Sequence, residues 1–382
     1  MHKISLILLV ILSFFQLHAQ NSQKIYQTSD VLNEFKFQKR NNKTKWGIAQ
    51  QRSVSGDAYQ FMALRRDFGF INEMLYAGEQ SVIELGITLI DNVIKSSKES
   101  SHIRNNKTFR DQYKGWITLF NNSEKNKEVP LYESYSFFYI TQFLYILQDI
   151  GWVSESQKNK IWWEQTLSFV EENVWNKWLE RSISTKGKNY WYFLRQRTHM
   201  GSHWAGIAMY LGALTKNQEI KNQTKEVQRQ YDLLLKRNLR TVNNAYIWHS
   251  TYDNVSGTDA STQRKSIIQD VSHGNHVVAY IVAAYEFGNK NWTKTDIDKL
   301  CNTLVHYMYN KKTNRFSDNV DGTSDGRRPG WGNFVADGWV KLLVYDDRVR
   351  KIFDTFETPG ILNKYSQEMQ FKSVRLKNQI SK

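Results

Sequence analysis

Cysteine is almost missing from this chain: one residue in 382, Cys301. A disulfide framework within one chain is therefore excluded. Lipid attachment at a cysteine beside an export-signal cleavage point is excluded too, because Cys301 lies far from the N-terminus. Proline is scarce, with three residues, so little interrupts helices. Beyond the first residues no stretch offers about 18 uninterrupted apolar positions, which argues against membrane insertion. Acidic residues are in deficit: 37 Asp and Glu face 52 Lys and Arg, a net charge of +15. Runs alternating with period two are few and short, which argues against a β-rich fold.

What is present begins with MHKISLILLVILSFFQLHAQ. Lys3 precedes an apolar run from Ile4 to Leu17, and Leu17-His18-Ala19 ends it on a small residue. This is the layout of a secretory signal peptide, spanning residues 1–19, with cleavage before Gln20. The expected location is secreted or periplasmic. Without disulfides the protein needs a large core, and residues 20–382 can supply one as a single domain. No Pro/Ser-rich linker divides them.

The basic balance points to an anionic partner. Nucleic acid is one candidate, but exported proteins meet it less often than acidic polysaccharide. Composition favours sugar: 13 Trp, 20 Tyr and 20 Phe make up 14% of the chain. Aromatic faces stack on pyranose C–H surfaces, and the polar edges of Trp and Tyr reach hydroxyls. Large helical proteins also use aromatics as core filler.

Apolar residues recur at helical spacing over 70–94, 132–151, 159–179, 203–215, 220–239, 276–288, 294–310 and 334–356. Gly151 and Gly288 stand where helix-ending glycines belong. Segments from 203 and 276 are rich in Ala, Gly and aromatics and nearly free of charge, so they read as buried all round. Those from 220 and 294 are amphipathic. An inner ring wrapped by an outer ring explains the alternation, so the expected fold is all-α, an (α/α) toroid of about six hairpins. Two long loops, 95–131 and 311–333, are candidates for function.

Five histidines lie between 199 and 276: His199, His203, His249, His273 and His276. His199 and His203 are four apart, so one helical face holds both if the helix starts that early. His273 and His276 follow Asp270 and flank Asn275. Imidazole and carboxylate are common metal ligands, but the Glu of an HExxH site is absent, since residue 200 is Met. No cofactor is expected, and a divalent metal at this cluster is the less favoured reading.

The favoured reading is proton chemistry on a uronic acid. β-Elimination needs a group that neutralises the C5 carboxylate, a base for the C5 proton and an acid for the departing O4. Asn, Arg, His and Tyr serve these roles. Residues 270–276 hold several of them at an expected helix N-terminus, where the dipole favours an anion. The loop 317–334 adds Arg327 and Arg328 as a bidentate carboxylate clamp, Trp331 for stacking and Asn333 for hydroxyls. Its acids Asp318, Asp321 and Asp325 do not match an EF-hand. Trp191, Arg195 and Arg197 precede His203 and fit an anionic sugar subsite. Carboxylates for hydrolysis are harder to find; Glu133, Asp253 and Asp270 are the candidates.

Asp270, Ser272, His276 and Tyr285 resemble the Asp-x-Ser-x-x-x-His segment of chondroitin AC and hyaluronate lyases, with its tyrosine nine residues after the histidine. The Asn275-His276 pair resembles that of toroid alginate lyases. Ser202-His203-Trp204-Ala205-Gly206 resembles the helix start after that pair, with Ser202 in place of Asn. Each match covers about 20 residues, and the large β-domains of chondroitinases have no room here, so a compact toroid such as the alginate and glucuronan lyases is the nearer model. The resemblance implies His276 or His203 as base or carboxylate ligand, and Tyr285 or Tyr280 as proton donor. Nine residues advance about 2.5 helical turns, which puts Tyr285 opposite His276, whereas Tyr280 shares its face. Expected, then, is a monomer acting on alginate, glucuronan or a similar polymer, with no nucleic-acid partner. Hydrolysis of unsaturated uronides and non-catalytic glycan binding are the alternatives.

Overall fold

The structure, a computed structural model, describes residues 45–252, 267–324, 326, 330–355, 372–373 and 376. The expected signal peptide, Asp253, Asp325, Arg327 and Arg328 lie outside the described residues. The described chain is mostly helical, with three two-stranded antiparallel ribbons: β1 (Lys98–Glu99) with β2 (Lys114–Gly115), β3 (Arg240–Val242) with β4 (Ala245–Ile247), and β5 (Tyr309–Asn310) with β6 (Arg315–Phe316). Among the described residues no helix is long and apolar enough to cross a membrane.

Helices α1 (Lys45–Ser53) and α2 (Ala58–Ala63) open the described chain. The pattern over 70–94 predicts one helix, but Gly78 at φ +85° breaks it into α3 (Arg65–Tyr76) and α4 (Ile83–Ser96). Pro130, pre-set for a first helical turn, opens α5 (Pro130–Asp149). The run 159–179 becomes α6 (Gln157–Val170), capped by Ser156, a wider turn at 171–176, and α7 (Lys177–Lys186). Then come α8 (Thr198–Leu214), α9 (Gln218–Asn238), α10 (Val271–Glu286) and α11 (Lys294–Asn302). Side-chain caps fix their starts: Asn217 for α9, Asp270 for α10, and a reciprocal Thr293–Asp296 box for α11. Gly151 and Gly288 follow α5 and α10 at φ +82° and +76°, as their positions predict.

The expected helix 334–356 is the clearest departure. Only α12 (Asp347–Thr355) is α-helical there, preceded by a 3₁₀ segment at Trp339–Val344. Gly338 explains it. A Cβ at this residue would collide with the Asn275 carbonyl and the Ala279 backbone nitrogen. The chain at 337–338 is pressed against α10, and the backbone winds only beyond it, first as 3₁₀ turns.

Helices α3, α5, α8 and α10 pack in that order, each on the next, and the 3₁₀ segment packs on α10. Nearly every residue of α5, α8 and α10 is buried, as their low charge predicts. Helices α4 and α9, which lie between members of the row in sequence, and α11, which follows it, bury one stripe only. Phe137, Phe143, Trp204, Ile207, Val278 and Ile281 are among the wholly enclosed core side chains of the row.

Candidate functional site

The site begins with two helix starts. α8 begins at Thr198 and α10 at Val271, each five residues earlier than the apolar patterns indicate. Both first turns therefore carry histidines, and α8 packs against α10. His199 lies 4.1 Å from His273 between ring centroids, and His203 lies 4.7 Å from His276. Four imidazoles thus form two facing pairs.

Each α10 imidazole is held by a carboxylate. Asp270 accepts the backbone N–H of His273 at 2.9 Å as the N-cap, and its Oδ2 lies 2.8 Å from His273 Nδ1. His276 Nδ1 lies 2.9 Å from Asp337 Oδ2. Burial alone would raise the Asp337 carboxyl, but the hydrogen bond from His276 and the Lys372 cation hold it well below the usual carboxylate range. An ionised carboxylate only accepts, so His276 Nδ1 carries the proton and Nε2 is left basic. Burial also pushes His276 below its ordinary value, with Asp337 opposing. The ring is neutral at neutral pH, as a proton acceptor must be.

The two dyads open on a cleft of about 190 Å³. Ligand pockets usually run to about 300–1,000 Å³, so this one suits a single small group at its floor. Arg65 and Arg66 from the start of α3, Tyr135 and Tyr139 from α5, Ser272, His273, Asn275 and His276 from α10, and Trp331, Phe334 and Asp337 line it. Tyr135 sits centrally. Its ring is 4.0 Å from His203 and 5.3 Å, perpendicular, from His276, and the Arg65 guanidinium lies 4.6 Å above it. Burial raises the Tyr135 phenol above its ordinary value, against the pull of Arg65. Asn275 Oδ1 accepts from the N–H groups of Gly338 at 2.7 Å and Trp339 at 3.1 Å. Its NH₂ is the end left to donate to a ligand.

The structure thus brings together Asp270, His273, Asn275, His276 and Trp331, whose ring is 5.5 Å from His273. His203 backs them: it is almost wholly buried, its Nε2 meets no hydrogen-bond partner among the described residues, and burial, then His276, keeps it well below its ordinary value. Arg197 precedes α8 and bridges to Thr251, near enough for its charge to act on His199 and Tyr135.

Other expected residues lie elsewhere. Tyr280 donates to Asp232 Oδ1 of α9 at 2.7 Å, in a buried knot with Trp292, Asn289 and Asn291. Its four-residue step from His276 overshoots a full turn by roughly 40°, and it sits one turn deeper, where α9 takes the hydroxyl. Tyr285 packs on Tyr345 at the far end of α10, and neither tyrosine lines the cleft. Trp204 is enclosed edge-on to Phe193. Trp191 is covered by Lys186 and Lys188, and Arg195 and Asn333 do not line the cleft. Asp318 is fastened to the α10 start through its carbonyl, which accepts from Val271. Glu133 is wholly buried, paired with Lys177 at 2.8 Å and bonded to Trp178, so it is no hydrolytic carboxylate. The 95–131 loop is fastened by Arg181, which grips Asp111, Glu128 and Ser100.

Sequence reasoning misses Arg65, Arg66, Tyr135, Tyr139 and Asp337. One signal existed for the tyrosines: Tyr132, Tyr135 and Tyr139 form a stripe at helical spacing on an almost uncharged helix. Among the described residues no three metal-ligating side chains converge on a point that could hold an ion. No protein-family model matches the chain, and comparison with curated proteins returns no match.

Proposed function

We propose that this chain is an exported polysaccharide lyase that cleaves a uronic-acid polymer by β-elimination, on an (α/α)-toroid scaffold. The observation that carries the reading is the Asp337–His276 dyad, with its basic Nε2, beside Tyr135 and Arg65 in one cleft. The row of packed helices α3, α5, α8 and α10, with the one-sided helices α4 and α9 between its members in sequence, supports a toroid wall. The leader-like N-terminus and net charge of +15 suit export and a polyanion.

In this mechanism Arg65, with Arg66 and the Asn275 amide, takes the C5 carboxylate and lowers the acidity barrier at C5. His276 Nε2 removes the C5 proton, and the C5–H electron pair becomes the C4=C5 double bond. The C4–O4 bond breaks, and the Tyr135 phenol protonates the departing oxygen. Trp331 stacks on a neighbouring ring. Tyr135 replaces Tyr280 and Tyr285 as the proton donor. Hydrolysis finds less support, because the Asp270 and Asp337 carboxylates are both committed to imidazoles.

The test is incubation of purified protein with alginate, glucuronan, hyaluronan and ulvan, following both the ultraviolet absorbance of a carboxylate-conjugated double bond and reducing ends. The account expects both to rise together on at least one polymer. Reducing ends without absorbance mean a hydrolase, and binding without either means a glycan-binding protein.

A further inference from the structure

Residue 372 lies far along the chain from the histidines, yet Lys372 is enclosed, with about 2% of its surface exposed. Its Nζ lies 3.2 Å from Glu73 Oε1 on α3 and 3.4 Å from the Asp337 carbonyl oxygen. The same residue 337 presents its carboxylate to His276 at 2.9 Å. One buried cation therefore ties α3 to the segment that orients the proposed base.

We propose that Lys372 is a positioning residue that acts through Asp337 and holds down the proton affinity of the His276 imidazole from behind. The role in turnover rests on the lyase reading; the electrostatic role does not. Its physical basis is proximity in a water-poor interior, where a single charge acts strongly on its neighbours. Lys372 is among the causes that hold the Asp337 carboxylate low. Other groups face the dyad as well: Arg65 from α3, Tyr135 and Tyr139 from α5, His203 from α8, His273 from α10 and Lys341 from the 3₁₀ segment, with Glu73 of α3 behind Lys372. Lys372 touches the Asp337 backbone directly, through its charged nitrogen. Removing it makes the surroundings of His276 more negative, so the imidazole must bind its proton more tightly.

The experiment is an NMR titration of the His276 imidazole in the full chain, assigned by its loss in His276→Gln. Lys372→Met should raise the His276 pKa by about half to one unit, and Lys372→Arg should restore it. Should Lys372→Met fail to fold, Lys372→Gln, which removes the same charge but keeps an N–H donor for Glu73 and the Asp337 carbonyl, should shift the titration upward. An unmoved titration in a folded variant lacking Lys372, or a downward shift, overturns the proposal. No turnover is needed, so failure of this inference and failure of the lyase reading are separately visible. If turnover is found, the acid limb of the kcat/KM profile should move with the same sign and size, which a purely structural role would not produce.

Discussion

At the scale of single residues, the account assigns a base, an acid and a carboxylate ligand, and each has its own signature. Asp337→Asn keeps the shape but offers His276 a weaker, ambiguous partner, so the ring loses its fixed tautomer. Turnover of the polyuronate should fall about 10²–10⁴-fold with KM little changed, measured by initial rates. Tyr135→Phe removes the acid and should cost a similar factor, whereas Tyr280→Phe should act on stability and leave kcat near wild type. The pH profile follows from the same residues. His276 must be unprotonated, and burial places it below the ordinary imidazole value of about 6.5. The rate should therefore rise with pH through a midpoint under that value and be flat across neutrality. It should fall only above the ordinary phenol value of about 10, because burial raises Tyr135.

At the scale of elements, the site depends on how closely two segments approach. Gly338 lets the 337–338 backbone lie directly on α10. Gly338→Ala should push Asp337 off His276 and cost about 1–3 kcal/mol of stability, read as a lower denaturation midpoint together with lost turnover. On the outer side, Lys177→Met leaves Glu133 buried without its cation. A loss of about 3–5 kcal/mol is expected in chemical denaturation, and Glu133→Gln/Lys177→Met should recover part of it. These elements also show what the sequence made legible. Most helices, a helix N-terminus within 270–276 and the paired histidines of α10 could be read locally, because caps and periodicity act within a few residues. The proposed proton donor Tyr135 and Asp337 could not. Their roles arise from contacts across more than sixty positions, as with His276 and Asp337. Tyr280 satisfied the local geometry and was claimed by Asp232 of another helix.

At the scale of the whole molecule, several buried imidazoles make stability sensitive to acid. Burial, joined by neighbouring positive charge, lowers His199 and His203 well below the ordinary value, and burial lowers His276 despite Asp337. In the unfolded chain each regains a pKa of about 6.5. The unfolded state therefore binds more protons below that pH, and folding free energy falls as pH drops, by up to ~1.4 kcal/mol per pH unit for each group. Above about pH 7 these groups contribute no slope. Thermal denaturation followed by circular dichroism between pH 8 and 5, on the order of one measurement per half unit, should show a plateau and then a decline that is shallower in His203→Phe. The claim beneath all of this is that His276 is the proton acceptor of the cleft. The most direct test compares unsaturated-end formation by His276→Ala and the wild type on the best polyuronate substrate, with helical content checked in both. The account predicts a fall on the order of 10²-fold or more at unchanged helicity; a folded variant that works within a few-fold of the wild type would contradict it.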